Sequence, residues 1–232
     1  MKKIKSLALA LCLGIIMMGC NNTQKGATIG TAGGAVLGAI IGKIAGNAGV
    51  GAAIGGAVGA GTGAIIGNRM DKVKKQAEAV QNAQVQQVTD ANGLQAVKVT
   101  FDSGILFPTS SSTLQASAQN SLIQFANVLK QNTDADVAIQ GYTDNDPWKG
   151  STAEQSVQKN LNLSQQRAQS VSTFLIGQGV SGAQIKSVQG FGEQNPVADN
   201  STAAGKAQNR RVEVYLYASQ AMIDAANNGT LK

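Results

Sequence analysis

The 232-residue sequence contains no histidine. That absence removes His-based catalytic triads, histidine metal ligands and imidazole general bases at once. Cysteine is nearly as scarce: Cys12 lies inside an apolar run near the start, and Cys20 directly follows that run. Loss of the leader leaves Cys20 alone, so neither an intrachain disulfide nor a cysteine-cluster zinc site can form. Excess charge is also small. The 19 basic and 13 acidic residues give +6, but Lys2, Lys3 and Lys5 belong to the basic start, and the remaining 16 basic residues exceed the 13 acidic ones by only +3. A nucleic-acid partner does not follow from that balance.

What is present begins with a leader. Met1 to Lys5 is basic, Leu7 to Gly19 is uncharged and apolar, and the run is too short for a comfortable membrane span. This is the order of a secretory signal peptide over residues 1–19. Ile16-Met17-Met18-Gly19-Cys20 resembles the lipobox of bacterial lipoproteins, with Met17 where that motif usually has leucine. The resemblance implies cleavage before Cys20, lipidation of its sulfur and acylation of its new amino group. Several acyl chains at about 0.8 kcal/mol per buried methylene hold a protein on a membrane durably. Asn21, where an aspartate resembles an inner-membrane retention signal, leans toward the outer membrane. Residues 20–25 then form a short tether.

Residues 26–67 have a composition of their own: 26 of the 42 are Gly or Ala. The glycines keep a period of four, from Gly26 to Gly46 and again from Gly51 to Gly67. A period of four is not collagen, and Gly42-Lys43-Ile44 lacks the hydroxyl of a phosphate-binding loop. On a helix this spacing makes a bare stripe where another backbone approaches closely. Each glycine costs a helix roughly 1 kcal/mol relative to alanine, so tight packing must compensate. The expectation is a helical hairpin, Gly26–Ala45 and Val50–Gly67, that packs or forms a homo-oligomer. The segment resembles the glycine zippers of bacterial envelope lipoproteins. Residues 68–92 read as a solvated helix with a basic cluster, followed by the lead-in to a hairpin.

From Val85 the texture is that of a mixed globular domain. Val85–Thr89 and Leu94–Phe101 flank the turn signal Asp90-Ala91-Asn92-Gly93. Helices are expected over Leu114–Leu129 and Leu161–Gly177, with strands over Asp136–Thr143, Ile185–Gly192 and Arg211–Tyr217. The order β-α-β-α-β-β makes an α/β sandwich (α+β) with a mixed, partly parallel sheet. Residues 219–232 are small and polar, and are expected to form a flexible tail.

Five motifs follow in order: Phe101-Asp102-Ser103-Gly104, Gly141-Tyr142-Thr143-Asp144, Asn160 to Ala168, Gly190-Phe191-Gly192-Glu193, and Asn209-Arg210-Arg211-Val212-Glu213. Together they resemble the OmpA-like C-terminal domain over about residues 93–218. With the leader and zipper, the chain is similar to the YiaD-like lipoproteins of Gram-negative bacteria. The resemblance implies a periplasmic domain that binds peptidoglycan, with Asp144 holding the ammonium and Arg167 the carboxylate of diaminopimelate. Thr143, Asn160 and Arg210 would support them. Recognising a zwitterionic head takes an anion and a cation a few Å apart, and a guanidinium grips a carboxylate bidentately. The helix N-terminus near Arg167 would add favourable polarity. A plainer alternative makes Asp144 and Arg167 a structural ion pair.

Two departures from the family stand out. The interval from Asp144 to Arg167 is about eight residues longer than usual, and its insertion carries Trp148, either as a ligand cover or as a loop staple. Gly104 replaces a polar side chain, so that contact would come from backbone. The reading is a non-enzymatic outer-membrane lipoprotein, lipid-anchored, binding peptidoglycan and tethering the membrane to the wall. No metal, cofactor or nucleic acid is called for. The rivals are a wall-remodelling enzyme using Asp144 or Glu193 as acid and base, and a zipper-driven oligomer or pore with a wall-targeting domain.

Overall fold

A computed structural model describes residues 60–89 and 94–231. The leader, Cys20, the zipper before residue 60 and the turn at residues 90–93 lie outside those residues. The elements are α1 (Ala60–Glu78), β1 (Ala83–Thr89), β2 (Gln95–Asp102), α2 (Ser103–Leu106), α3 (Ala116–Gln131), β3 (Ala135–Gly141), α4 (Ala153–Gly177), β4 (Ile185–Gly190), α5 (Ala203–Asn209), β5 (Arg211–Ala218) and α6 (Gln220–Asn227).

The strands form one sheet in the order β1-β2-β5-β3-β4. Only β3 and β4 run parallel, joined through α4; every other neighbouring pair is antiparallel. The mixed sheet and the β-α-β-α-β-β order from β2 to β5 match the sequence reading. β5 is central and all eight of its residues are buried. Its alternation sorts Val212, Val214 and Leu216 to the main core, and Tyr215 and Tyr217 to a smaller cluster with Ala96 and Ala138. In the main core Phe101 meets Phe125 edge-on, with ring centroids 5.4 Å apart.

Three expectations are corrected. α1 is not a solvated helix: Ile66, Met70, Val73 and Ala77 are fully buried in the main core, at i, i+4, i+7 and i+11. α1 also runs through the expected boundary at residue 67, so the last zipper glycines belong to a helix of this domain. Residues 219–232 do not form a flexible tail. Ser219 caps α6 by accepting from the backbone N–H of Met222, and Met222, Ile223 and Ala226 are buried. Together with β1, which pairs along β2 from Ala83 to Thr89, these helices extend the folded unit well beyond residues 93–218.

The third correction concerns α4, which starts at Ala153 rather than Leu161. Thr152 and Gln155 form a reciprocal capping box: Gln155 N–H donates to Thr152 Oγ1 at 3.2 Å, and Thr152 N–H donates to Gln155 Oε1 at 3.0 Å. Much of the insertion is therefore helix. α4 lies close over the sheet end because Gly141 and Gly190, partners in register, carry no side chains. A Cβ at Gly141 would stand 2.1 Å from Ser164 O, and one at Gly190 would stand 2.2 Å from Gln165 N.

Candidate functional site

The same close approach locks α4 by hydrogen bonds. Gln165 Oε1 accepts from Gly190 N–H at 2.7 Å, and Ser164 Oγ accepts from Gly192 N–H at 2.8 Å. The motif residues Ser164 and Gln165 thus index α4 against the Gly190-Phe191-Gly192 segment. One turn away on either side, Asn160 and Arg167 face a cavity of about 660 Å³. All five expected site residues, Thr143, Asp144, Asn160, Arg167 and Arg210, line it.

Beyond β3 the chain stays pinned. Tyr142 N–H donates to Arg211 O and Thr143 N–H to Gly192 O, which carries Asp144 to the cavity wall. Asp144 is buried, and its carboxylate accepts from Arg210 Nη1 and from Asp146 N–H. Asp144 therefore pairs with Arg210, not with Arg167. Arg210 closes α5, its carbonyl accepting from Ser103 N–H.

Arg167 is also buried, but its hydrogen bonds go to backbone. Nε donates to Ser111 O at 2.9 Å and Nη2 to Pro108 O at 3.4 Å, with the guanidinium 5.3 Å from the centre of the Phe107 ring. Burial pulls its pKa down to about 10, opposed by nearby Asp144 and assisted by Arg210. It stays cationic at neutral pH, with no carboxylate hydrogen-bonded to it among the described residues. The expected contribution of a helix N-terminus falls away, since Arg167 sits 14 residues into α4.

Asn160 serves the loop. Its Nδ2 donates to Asp144 O at 3.4 Å and Asp146 O at 3.3 Å, while its Oδ1 accepts from Trp148 Nε1 at 2.8 Å. Trp148 thus staples the inserted loop and also lines the cavity. Lys206 holds the loop from α5 through Asp146.

Sequence reasoning missed Ser103 as a wall residue. Ser103 Oγ and Thr143 Oγ1 are both buried, both line the cavity, and neither has a hydrogen-bond partner among the described residues. An unsatisfied buried hydroxyl costs about 1–3 kcal/mol, so a polar ligand has donors and acceptors to satisfy here. The position of Ser103 inside the first motif was the available signal. Gly104 lines the cavity with its backbone already engaged: its N–H donates to Asp102 Oδ1 at 2.6 Å and its carbonyl accepts from Gln115 Nε2 at 3.1 Å. Glu193 is absent from the cavity wall.

The chain matches the OmpA family over residues 106–210 and the YMGG-like Gly-zipper over residues 1–71. It is 47% identical over 112 residues to "Probable lipoprotein YiaD" of Escherichia coli, covering 48% of this chain and 47% of that protein. It is 38% identical over 119 residues to "Peptidoglycan-binding protein ArfA" of Mycobacterium tuberculosis, covering 51% of this chain and 34% of that one. The match thus spans about a third to a half of the length of these relatives. Among solved structures, a MotB-like protein from Desulfovibrio vulgaris shares the fold, with a TM-score of 0.54 at 23% identity over 66% of this chain and 92% of that one. The cell wall anchor of the type VI secretion system from Pseudomonas aeruginosa gives a TM-score of 0.51 at 28% identity over 65% of this chain and 98% of its own. Sheet order, motif placement and matches agree: residues 106–210 are a domain of the OmpA family, and a YMGG-like Gly-zipper precedes it.

Proposed function

We propose that this chain is an envelope lipoprotein of the outer membrane that binds peptidoglycan without chemical change and so tethers membrane to wall. The observation that carries the reading is the charge arrangement of one cavity, in which Asp144 is paired with Arg210 beside a buried Arg167 whose hydrogen bonds go to backbone carbonyls rather than to a carboxylate. An ammonium joins Asp144, and the carboxylate of the same head joins Arg167, whose charge burial has made costly. Ser103 and Thr143 hydroxyls complete the polar wall. Diaminopimelate in the stem peptide has such a head. YiaD and ArfA, named as a lipoprotein and a peptidoglycan-binding protein, support the assignment.

Cys20 is the proposed lipid anchor because Ile16-Met17-Met18-Gly19-Cys20 resembles a lipobox. The test is a pull-down of purified sacculi with the full chain in detergent, followed by mass analysis of the sacculus fragments. Retention with unaltered fragments is expected. Loss of retention would overturn wall binding, and altered fragments would favour the enzymatic rival.

A further inference from the structure

The cavity is much larger than an amino-acid head requires, and Trp148, Pro147 and Lys149 of the inserted loop line it together with Asp144. Trp148 is close to the charged centre: one side chain, Asn160, accepts from its indole N–H and donates to the backbone carbonyl of Asp144. That hydrogen bond fixes the plane of a half-buried ring on the cavity wall. Lys159 Nζ lies 5.7 Å from the ring centre. The indole N–H is satisfied inside the protein, so what the ring still has to offer is apolar surface.

We infer that Trp148 is a ligand-contacting residue, whose ring packs on the aliphatic arm and adjoining peptide of the group whose zwitterionic head sits between Asp144 and Arg167. This rests on the proposed site, and it adds a specificity: the cavity recognises an amino-acid head carried on an apolar arm within a peptide. Short zwitterions lack the surface that Trp148 contacts.

Trp148 is the single tryptophan of the chain, so its fluorescence reports on this position alone. The full chain in detergent is titrated with the stem tripeptide L-Ala-γ-D-Glu-meso-diaminopimelate, followed by calorimetry and by emission. Binding should shift or quench the emission. Trp148→Ala should weaken tripeptide binding roughly tenfold, as loss of a central aromatic contact does, while Trp148→Phe should hold within about threefold by keeping an apolar ring. Calorimetric binding with silent emission, or an unweakened Trp148→Ala, overturns the inference and leaves the site reading standing. Equal losses in Trp148→Phe and Trp148→Ala also overturn it, placing the residue's role in its hydrogen bond to Asn160. Absence of calorimetric binding in the wild type overturns the site reading and this inference together.

Discussion

At the residue scale, the two arginines of the cavity differ in their partners: Arg210 meets the Asp144 carboxylate, and Arg167 donates to the backbone carbonyls of Ser111 and Pro108. Arg210 is a partner for Asp144, yet its side chain is 37% exposed, so their ion pair adds at most about 1 kcal/mol to stability. Asp144→Asn keeps the size and the hydrogen bond from Asp146 N–H while removing the charge. Sacculus or tripeptide affinity should fall ten- to hundredfold, the order expected when a charge-assisted hydrogen bond is lost, with the melting temperature changed by no more than a few degrees. Intact binding in a variant that melts early would make Asp144 structural. That Thr143, Asp144, Asn160, Arg167 and Arg210 come together was legible, because each stands in a motif with fixed spacing. Their partners were not. Which arginine meets Asp144 depends on α5 bringing Arg210 to the cavity, a tertiary fact that no local pattern encodes.

Elements explain why the site is rigid, and two of them carry predictions. On β5, Arg211 lies 3.8 Å above the Tyr142 ring and donates to Glu213, which also accepts from Tyr215 and lies near Lys98. Burial pushes the Glu213 carboxyl up, but Arg211, Lys98 and these hydrogen bonds outweigh it and hold the pKa below its ordinary 4.5. A lowered folded pKa means stability that is fully present above the unfolded value and lost as pH falls through the folded one. Wild type should therefore lose stability below about pH 4.5. Glu213→Gln should lose about 3 kcal/mol at neutral pH by stranding Arg211, and its acid limb should be shallower. Identical acid limbs in thermal melts across pH 3–7 would remove Glu213 from this role.

Gly190 sits where β4 touches α4, and a methyl there meets backbone rather than a yielding side chain. Gly190→Ala should cost on the order of 3 kcal/mol, and should weaken ligand binding as well by displacing Asn160 and Arg167 together. A melting temperature equal to wild type would show that α4 can shift without cost. Strands and long helices were legible through periodicity, and the start of α4 was written in Thr152-Ala153-Glu154-Gln155. The burial of α1 and α6 was not legible in the same way. Their apolar stripes are short and interrupted by charge, so only the sheet they cover shows which face is inside.

For the whole molecule, α1 belongs in sequence to the end of the zipper match and in structure to the OmpA-like domain. The zipper glycines Gly63 and Gly67 continue into it, and Gly67 lies so close to β2 that a Cβ there would be 2.9 Å from Gln95 Oε1. Thr62 Oγ1 donates to Oδ1 of Asn227, the last residue of α6, and Arg69 pairs with Asp134 before β3. The N-terminal and C-terminal helices are thus tied to each other as well as to the sheet. A fragment of residues 93–218, the span suggested by motif resemblance, lacks α1, β1 and α6. It exposes the surface that Ile66, Met70, Val73, Met222 and Ile223 cover. At roughly 1.5–3 kcal/mol per large buried side chain, the loss is comparable with the total stability of about 5–15 kcal/mol typical of a domain. Residues 60–231 should melt cooperatively with a folded near-ultraviolet circular dichroism spectrum, and residues 93–218 should show neither. Equal melting temperatures for the two fragments, with equal retention on sacculi, would make α1 and α6 accessory to the OmpA-like domain.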